Sequence, residues 1–205
     1  KDYDKNLNGT TINVDSINSS WNPPRVNYIS TWGYSKNLDG VNVNVNVNID
    51  NSRAFMIDEG IDSNDATIKP FRYTGTINLK ETKTVGIDVQ GTHTSYSQGT
   101  GQSVNPSFDT VNQVANVKVI NEGKIIGEGA AGRKNQVAFG FNNFDASSNN
   151  TRTEMINRGT VTLEAEESVG IQLRPEDPNA SGASDRLGLN MMAGRNEGTI
   201  TLNGA

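Results

Sequence analysis

The stretch VNVNVNVNID alternates apolar and polar residues without a break from Val41 to Asp50. Successive side chains of a β-strand point to opposite faces, so this alternation predicts a strand with one buried face. The valines are expected to face a core and the asparagines to face outward. Nine residues of strand span about 30 Å at about 3.3 Å per residue. Either this strand turns a corner midway, or this part of the fold is wider than the rest.

The same alternation recurs in a repeated motif, N-x-G-[TK]-[IV]-x-[LG], followed by a short polar turn and then V-[GA]-[IF]-x-[VLF]. A third short apolar segment often precedes the Asn, so each copy contributes about three short strands. Four copies align well: Tyr73–Val89, Asn121–Phe141, Asn157–Leu173 and Asn196–Ala205. Two degraded copies lie upstream, at Asn8–Asn18 and Asp39–Asp58.

Repeats of three short strands with one variable loop are typical of the coils of a parallel β-helix. A single coil cannot bury its inward face alone, so the coils must stack on each other. We therefore predict an all-β fold, a right-handed parallel β-helix (solenoid) of about five to six coils with protruding loops. Residues 1–205 then form a single β-helical segment of a longer chain. The predicted insertions are an aromatic-rich segment, 19–38, and three loops, 92–113, 142–152 and 174–186.

An antiparallel sandwich is the alternative fold. It predicts hairpin turns such as Asn-Gly between paired strands. The chain has two Asn-Gly pairs, Asn8-Gly9 and Asn203-Gly204, and they lie at its two ends. The β-helix is therefore preferred.

Two glycines recur in the repeat, and each has its own explanation. The glycine of N-x-G is expected at a corner with positive φ, which glycine adopts without steric cost. The glycine of V-G-I is replaced by Ala54 and Ala138, so it is expected to pack inward where only a small residue fits. Aligning Gly40 with Gly75 makes Val41–Ile49 the first strand of a coil. Its asparagines then point into water or stack against polar neighbours such as Thr11, Asn13, Thr76 and Asn78.

Composition and charge narrow the classes of partner. The chain contains 21 glycines and 28 asparagines, which favours strands and turns over helices. Its net charge is −5 and its Lys and Arg residues are scattered, which argues against nucleic acid or an anionic membrane as a partner. No apolar run is long enough for a membrane-spanning helix, so no direct membrane insertion is expected. The absence of Cys excludes disulfides and thiolate metal sites.

Enzyme chemistry finds little support among the residues. The densest acidic cluster, Asp58–Asp65, misses the spacing of a calcium-binding loop and is interpreted as a solvated turn. The single His, His93, lies in a polar loop without a partner for base catalysis. No catalytic residue, metal or cofactor is predicted, and the chain is not expected to be an enzyme. A glycan-degrading β-helix enzyme, which needs two carboxylates facing a cleft, is kept as an alternative.

N-x-G-x-I-x-L followed by S/T-V-G-I, repeated with Asn-rich loops, resembles the passenger regions of large type V autotransporter adhesins, especially those of fusobacteria. The match covers roughly two thirds of the chain, from Tyr73 to the C-terminus. The resemblance implies an exported rod on the bacterial cell surface that binds host cells or other bacteria. It also implies anchoring to the outer membrane through a translocator barrel that this chain lacks.

Two insertions are candidate binding surfaces for a receptor, either glycan or protein. The first carries aromatic side chains and an arginine, which are common at binding hot spots: Trp21, Arg25, Tyr28, Trp32 and Tyr34. The second is a Gly- and Ser-rich loop that carries His93 and Tyr96. The first insertion has a competing interpretation as a local hydrophobic cap, and the second as a plain surface loop. A passive stalk that displays a distal binding tip is the alternative function.

The last strand raises a separate expectation. A β-helix that stops exposes the backbone of its terminal strands, which tend to pair with other chains. We therefore expect a capping element or a partner near Thr199–Ala205.

Overall fold

In the computed structural model, the described residues are 3–15, 17–18, 25–26, 28–30, 38–57, 70–90, 96–98, 102–104, 115–142, 151–173 and 191–204. They form one short 3₁₀ turn, Lys5–Leu7, and a series of strands. The first ten strands are β1 (Thr11–Val14), β2 (Ile17–Asn18), β3 (Arg25–Val26), β4 (Ile29–Ser30), β5 (Asp39–Val41), β6 (Asn44–Val47), β7 (Arg53–Ile57), β8 (Phe71–Tyr73), β9 (Thr76–Leu79) and β10 (Thr84–Gln90). The others are β11 (Tyr96–Gln98), β12 (Gln102–Val104), β13 (Ala115–Asn121), β14 (Lys124–Gly127), β15 (Gln136–Asn142), β16 (Thr151–Asn157), β17 (Thr160–Leu163), β18 (Val169–Ile171), β19 (Met191–Asn196) and β20 (Thr199–Leu202).

Three all-parallel sheets form the body of the protein. Sheet I has the order β1-β6-β9-β14-β17-β20, sheet II the order β4-β7-β10-β15-β18, and sheet III the order β5-β8-β13-β16-β19. The chain visits sheets I, II and III in turn and then returns to sheet I one strand further along. This is a parallel β-helix, as predicted, with six strands in sheet I and five in each of the others. The right-handed sense of the coil stays a prediction.

The Val–Asn run turns a corner. Strand β5 ends at Val41, residues 42–43 form the corner, and β6 begins at Asn44. The predicted alignment of Gly40 with Gly75 is therefore wrong, because Val41 pairs with Tyr73 and Val45 pairs with Ile77. Because residues 42–43 form a corner, the alternating stretch supplies strand β5 to sheet III and strand β6 to sheet I.

Both faces of this run behave as the alternation predicts. The four valines, Val41, Val43, Val45 and Val47, are all 0% exposed. On the outer face, Asn46 Nδ2 donates to Asn13 Oδ1 at 3.0 Å, and Asn46 Oδ1 accepts from Asn78 Nδ2 at 2.9 Å. The asparagines thus stack against polar neighbours in adjacent coils. Each such bond contributes little at a half-exposed position, because water competes for the same groups.

The core is a column of apolar side chains inside the three sheets. Leu79 pairs through Gly127 with Leu163, and both leucines are fully buried. Full burial of a leucine side chain contributes about 1.5–3 kcal/mol. Near the N-terminal end aromatic side chains fill the core, with the Phe55 and Tyr73 ring centroids 5.3 Å apart. Stacking supplies what a single coil lacks, a second apolar surface against which to pack.

The corner between sheets I and II explains the S/T residue before V-G-I. The residue preceding it has a left-handed backbone in each of four coils, with φ between 54° and 59°: Asn51, Lys83, Asn135 and Glu167. The hydroxyls of Ser52, Thr84 and Ser168 then donate to the carbonyl oxygen three residues earlier. Each hydroxyl donates a hydrogen bond to a carbonyl oxygen of the turn that accepts none within a sheet.

The glycine of V-G-I packs inward, as predicted. A Cβ on Gly86 would lie 2.8 Å from the carbonyl oxygen of Ala138 and 3.2 Å from Ile125 Cγ2. Gly86 has no positive φ, so packing and not backbone conformation selects glycine here.

The last strand of sheet I is open on one side among the described residues. Leu202 in β20 is 50% exposed, whereas Leu163, its partner in β17, is 0% exposed. The expected cap or partner at Thr199–Ala205 stays a prediction.

Candidate functional site

The connections from sheet II to sheet III are eight residues or longer in every coil, although 15–28, between sheets I and II, is also long. Each passage from sheet II to sheet III contains a segment outside the described residues: 31–37, 58–69, 91–114 (apart from β11 and β12), 143–150 and 174–190. The passages from sheet III to sheet I are two residues long, as at 42–43 and 122–123. We call the corner between sheets II and III the loop edge. The predicted loops 92–113, 142–152 and 174–186 all begin and end on it.

The loop edge accommodates connections of different lengths, because residues inserted there do not interrupt the hydrogen bonds between paired strands. Strands β10 and β15 pair in register from Thr84 to Gln90 although the segments that follow them differ in length. A parallel neighbour constrains only the paired residues, so the connection between two strands is free to vary.

Most of the predicted site residues lie outside the described residues. These are Trp21, Trp32, Tyr34 and His93. Arg25 lies in β3, which forms an antiparallel pair with β2, and its backbone is opposite Asn18. Tyr96 lies in β11, which forms a hairpin with β12, opposite Val104. The two hairpins show that both predicted insertions carry secondary structure of their own.

Tyr28 is the predicted site residue whose side chain is described. It lies directly before β4, and the guanidinium carbon of Arg53 is 5.6 Å from its ring centroid. Arg53 Nη1 also lies 2.6 Å from Asp88 Oδ2, whose side chain is 6% exposed. A cation over an aromatic face stabilises by about 0.5–2 kcal/mol, depending on its desolvation. Tyr28 is thus held against Arg53 on sheet II, and both interpretations of this insertion, binding surface and local cap, stay predictions.

The segment around Tyr28 also belongs partly to the coil itself. Ile29 is 1% exposed and Leu38 is 4% exposed, and both pack in the common core. Strand β4 pairs with β7 in sheet II. The aromatic-rich segment therefore contributes a strand and buried side chains to the first coil.

The described part of the chain contains no group of three or more His, Cys, Asp or Glu side chains that could hold a metal ion. Within the same ranges, no helix is long and apolar enough to cross a membrane.

The corner between sheets III and I, which we call the glycine corner, contains a ladder of buried asparagines. Asn121 Nδ2 donates to Asn157 Oδ1 at 3.0 Å, and Asn157 Nδ2 donates to Asn196 Oδ1 at 2.9 Å. Asn121 and Asn157 are 0% exposed. Asn121 Oδ1 also accepts from the Gly123 backbone N–H at 3.1 Å. The Asn side chain of N-x-G therefore forms hydrogen bonds both within its own corner and with the Asn of the next coil.

The glycines of this corner stack directly on each other. A Cβ on Gly123, Gly159 or Gly198 would overlap the carbonyl oxygen of the corresponding glycine one coil earlier. These earlier glycines are Gly75, Gly123 and Gly159, respectively. None of them has positive φ, and neither has Gly75. The predicted dihedral explanation is therefore wrong for these four, although Gly9 and Gly40 in the degraded copies do have positive φ. Close approach of backbone to backbone selects glycine at the four stacked positions.

Alternating charges follow the outside of the glycine corner. Arg72 Nη1 lies 2.7 Å from Glu122 Oε2, Glu122 lies 3.8 Å from Arg158 Nη1, and Arg158 Nε lies 2.9 Å from Glu197 Oε2. The hydrogen bond from Arg158 lowers the pKa of the Glu197 carboxyl. Hydrogen bonds to Asp39 and Glu122 raise the pKa of the Arg72 guanidinium. The variable residue of N-x-G thus alternates in sign between successive coils.

A shallow groove of about 440 Å³ runs along this corner. Its lining residues come from four successive coils: Thr74, Gly75, Thr76, Glu122, Gly123, Lys124, Arg158, Gly159, Thr160, Gly198 and Thr199. Sequence reasoning missed this groove, although the recurring N-x-G-[TK] marks its position in every coil.

Comparisons of the chain with protein-family models, with curated proteins and with solved structures found no match. Function is therefore inferred from the two edges of the coil: the loop edge and the glycine corner.

Proposed function

We propose that this chain is a segment of a bacterial cell-surface adhesin, a β-helical rod that binds a glycan or protein receptor through loops on one edge. The rod is anchored to the outer membrane through a translocator that lies outside this chain. The receptor belongs to a host cell or to another bacterium. The observation that carries the proposal is that every passage from sheet II to sheet III is eight residues or longer, so all five of these connections begin and end at the loop edge.

The spacing of the coils makes a common surface from separate loops. Neighbouring strands of a sheet lie about 4.8 Å apart, so five coils place their loops within about 20 Å along the rod. A standard protein interface buries about 800 Å² on each partner. Five adjacent loops can supply such an area, whereas loops scattered around the rod would each face a different direction.

The coil supplies a rigid support for these loops. The asparagine ladder, the stacked glycines and the apolar column each run through consecutive coils without a break from β13 to β17. Loops on a rigid scaffold bind without much loss of conformational freedom in the scaffold itself.

The test measures binding of the labelled chain to cultured epithelial cells and to a panel of bacteria by flow cytometry. One variant replaces residues 92–113 with a short Gly-Ser link, and a second replaces residues 174–186 in the same way. Asn46→Ala is the control, because it changes the outer face of sheet I, away from the loop edge. Circular dichroism checks that each variant keeps its strand content.

Saturable binding that falls in a loop variant and persists in Asn46→Ala supports the adhesin. Absence of binding by the intact, folded chain contradicts it and favours the passive stalk. Shortening of glycan chains in a panel of acidic and neutral polysaccharides would instead favour the enzyme.

A further inference from the structure

The groove at the glycine corner has one wall whose polar groups are paired and one whose polar groups are free. Glu122 and Arg158, on the sheet III side, make ion pairs with each other and with neighbours. On the sheet I side, the row Thr76, Lys124, Thr160 and Thr199 is aligned by strand register. Among the described residues, no side-chain hydrogen bond or ion pair engages the Lys124 ammonium or these three hydroxyls.

The row has a regular geometry. Its members occupy the first position of β9, β14, β17 and β20, so their side chains emerge about 4.8 Å apart along the rod. The stacked glycines form the floor between the two walls and add no side chains that would block access. A ligand that fits this row is itself extended, with polar groups at a comparable repeat.

Charge selects among extended polar ligands. The groove is lined by one carboxylate, Glu122, and two cations, Lys124 and Arg158, within a chain of net charge −5. Because Glu122 and Arg158 neutralise each other, the free charge of the groove is the Lys124 ammonium. An ammonium between two threonine hydroxyls offers a cationic donor flanked by groups that both donate and accept.

We propose that this groove binds an acidic glycan chain that lies along the rod axis. A sugar carboxylate contacts Lys124, and sugar hydroxyls contact Thr76, Thr160 and Thr199. A pyranose ring advances a glycan by about the distance between neighbouring coils, so successive sugars meet successive coils. The site is separate from the loop edge and goes beyond the receptor binding proposed for the loops.

Isothermal titration with hexamers of galacturonate, of polysialic acid and of hyaluronan tests the proposal on the full chain. Lys124→Gln is the test variant, and Lys83→Gln is the matched control, since Lys83 is exposed at the opposite side of sheet I and outside the groove. The fully methyl-esterified galacturonate hexamer is the uncharged control ligand. A polyglutamate peptide of similar length tests whether charge alone is recognised.

We expect saturable binding of at least one acidic hexamer that weakens by at least about tenfold in Lys124→Gln, as for loss of a charged hydrogen bond. Binding is unchanged in Lys83→Gln, and it weakens as salt rises. Where galacturonate is the ligand, esterification also weakens binding at least about tenfold. The variant with residues 92–113 replaced binds equally well, which separates this site from the loops.

Failure of all three acidic hexamers to bind overturns the proposal. So do equal effects of Lys124→Gln and Lys83→Gln, equal affinity for an ester and its acid, and tighter binding of polyglutamate than of any glycan.

Discussion

The asparagine ladder makes Asn157→Ala the most informative single substitution in the coil. Asn157 Nδ2 donates to Asn196 Oδ1 at 2.9 Å, to Thr199 O at 3.1 Å and to Gly159 O at 3.3 Å. Its Oδ1 accepts from Asn121 Nδ2 at 3.0 Å. Alanine removes all four bonds and leaves the space of an amide group inside the corner.

The expected loss follows from which partners remain buried. A hydrogen bond contributes about 1 kcal/mol net, and the two N–H groups of Nδ2 are shared among three acceptors, so the upper value is about 3–4 kcal/mol. Asn196 is exposed, so its amide can turn to water, whereas the Nδ2 of the buried Asn121 is left with one long contact of 3.4 Å to Gly123 O. We expect Asn157→Ala to lower the free energy of unfolding by about 2–4 kcal/mol.

Asn46→Ala is the matched control, because the same residue type forms a ladder on the outside of sheet I. Asn46 bonds Asn13 and Asn78 at 3.0 Å and 2.9 Å, but it is half-buried and water can replace either partner. The expected loss is under about 1 kcal/mol. Asn157→Asp adds a second comparison, since it keeps the shape but turns a donor into an acceptor that faces three oxygens. It should destabilise at least as much as alanine at neutral pH.

Urea unfolding followed by circular dichroism measures these differences from the shift in midpoint and the slope. If Asn157→Ala and Asn46→Ala differ by less than about 0.5 kcal/mol, burial of the ladder does not give it its strength, and the reasoning is refuted.

Three further predictions concern the corners of the coil. Gly127→Leu should destabilise by about 1–3 kcal/mol, because a Cβ on Gly127 would overlap Gln136 Oε1. Gln136→Thr should destabilise by a similar amount, because it removes the hydrogen bonds from Gln136 Nε2 to three backbone carbonyl oxygens. The double variant should recover most of the loss in urea unfolding, with a coupling of about 2 kcal/mol, and simple additivity would contradict the pairing. Lys83→Gly should stabilise by about 0.5–1 kcal/mol in thermal unfolding, since Lys83 has a φ of 54°, and a loss would contradict the assigned conformation. Burial raises the pKa of the Tyr73 phenol, so stability present below pH about 10 should fall as the pH rises further. Tyr73→Phe loses the 2.7 Å bond to Val43 O but should flatten that alkaline fall in urea midpoints, and an unchanged slope with pH would count against it.

The coil could be predicted from the sequence, because coils that stack in the same way share the same pattern of apolar and small residues. The inward valines, the small residue of V-G-I and the apolar strand before each Asn all follow from burial of alternate side chains. This burial follows the alternation of apolar and polar residues along the chain, so it can be predicted from the sequence. The binding roles of Trp21, Trp32, Tyr34 and His93, which lie outside the described residues, stay predictions.

Contacts between coils could not be predicted in the same way. The glycines of N-x-G were expected to need positive φ. Lys83 and Glu167, which do have positive φ, lie instead at the corner between sheets I and II. Gly123 is instead fixed by the backbone of Gly75, one coil away in space and distant in sequence. The pairing of Gly127 with Gln136 likewise depends on which turn faces which strand. Alignment of repeats shows which positions correspond, but not which atoms approach each other.

The central claim is that the coils stack in this parallel register, since the loop edge exists only in that register. The chain has no cysteine, so two introduced cysteines test it without interference. Thr162 pairs with Thr201, whereas Thr162 and Thr199 are diagonal neighbours, about 8 Å apart from strand spacing and rise. Under mild oxidation, the pair Thr162→Cys and Thr201→Cys should form a disulfide, and the pair Thr162→Cys and Thr199→Cys should not, because the bond needs Cα atoms within about 7 Å. Intact mass after alkylation of free thiols distinguishes the two states, and preferential cross-linking of the diagonal pair would contradict the fold.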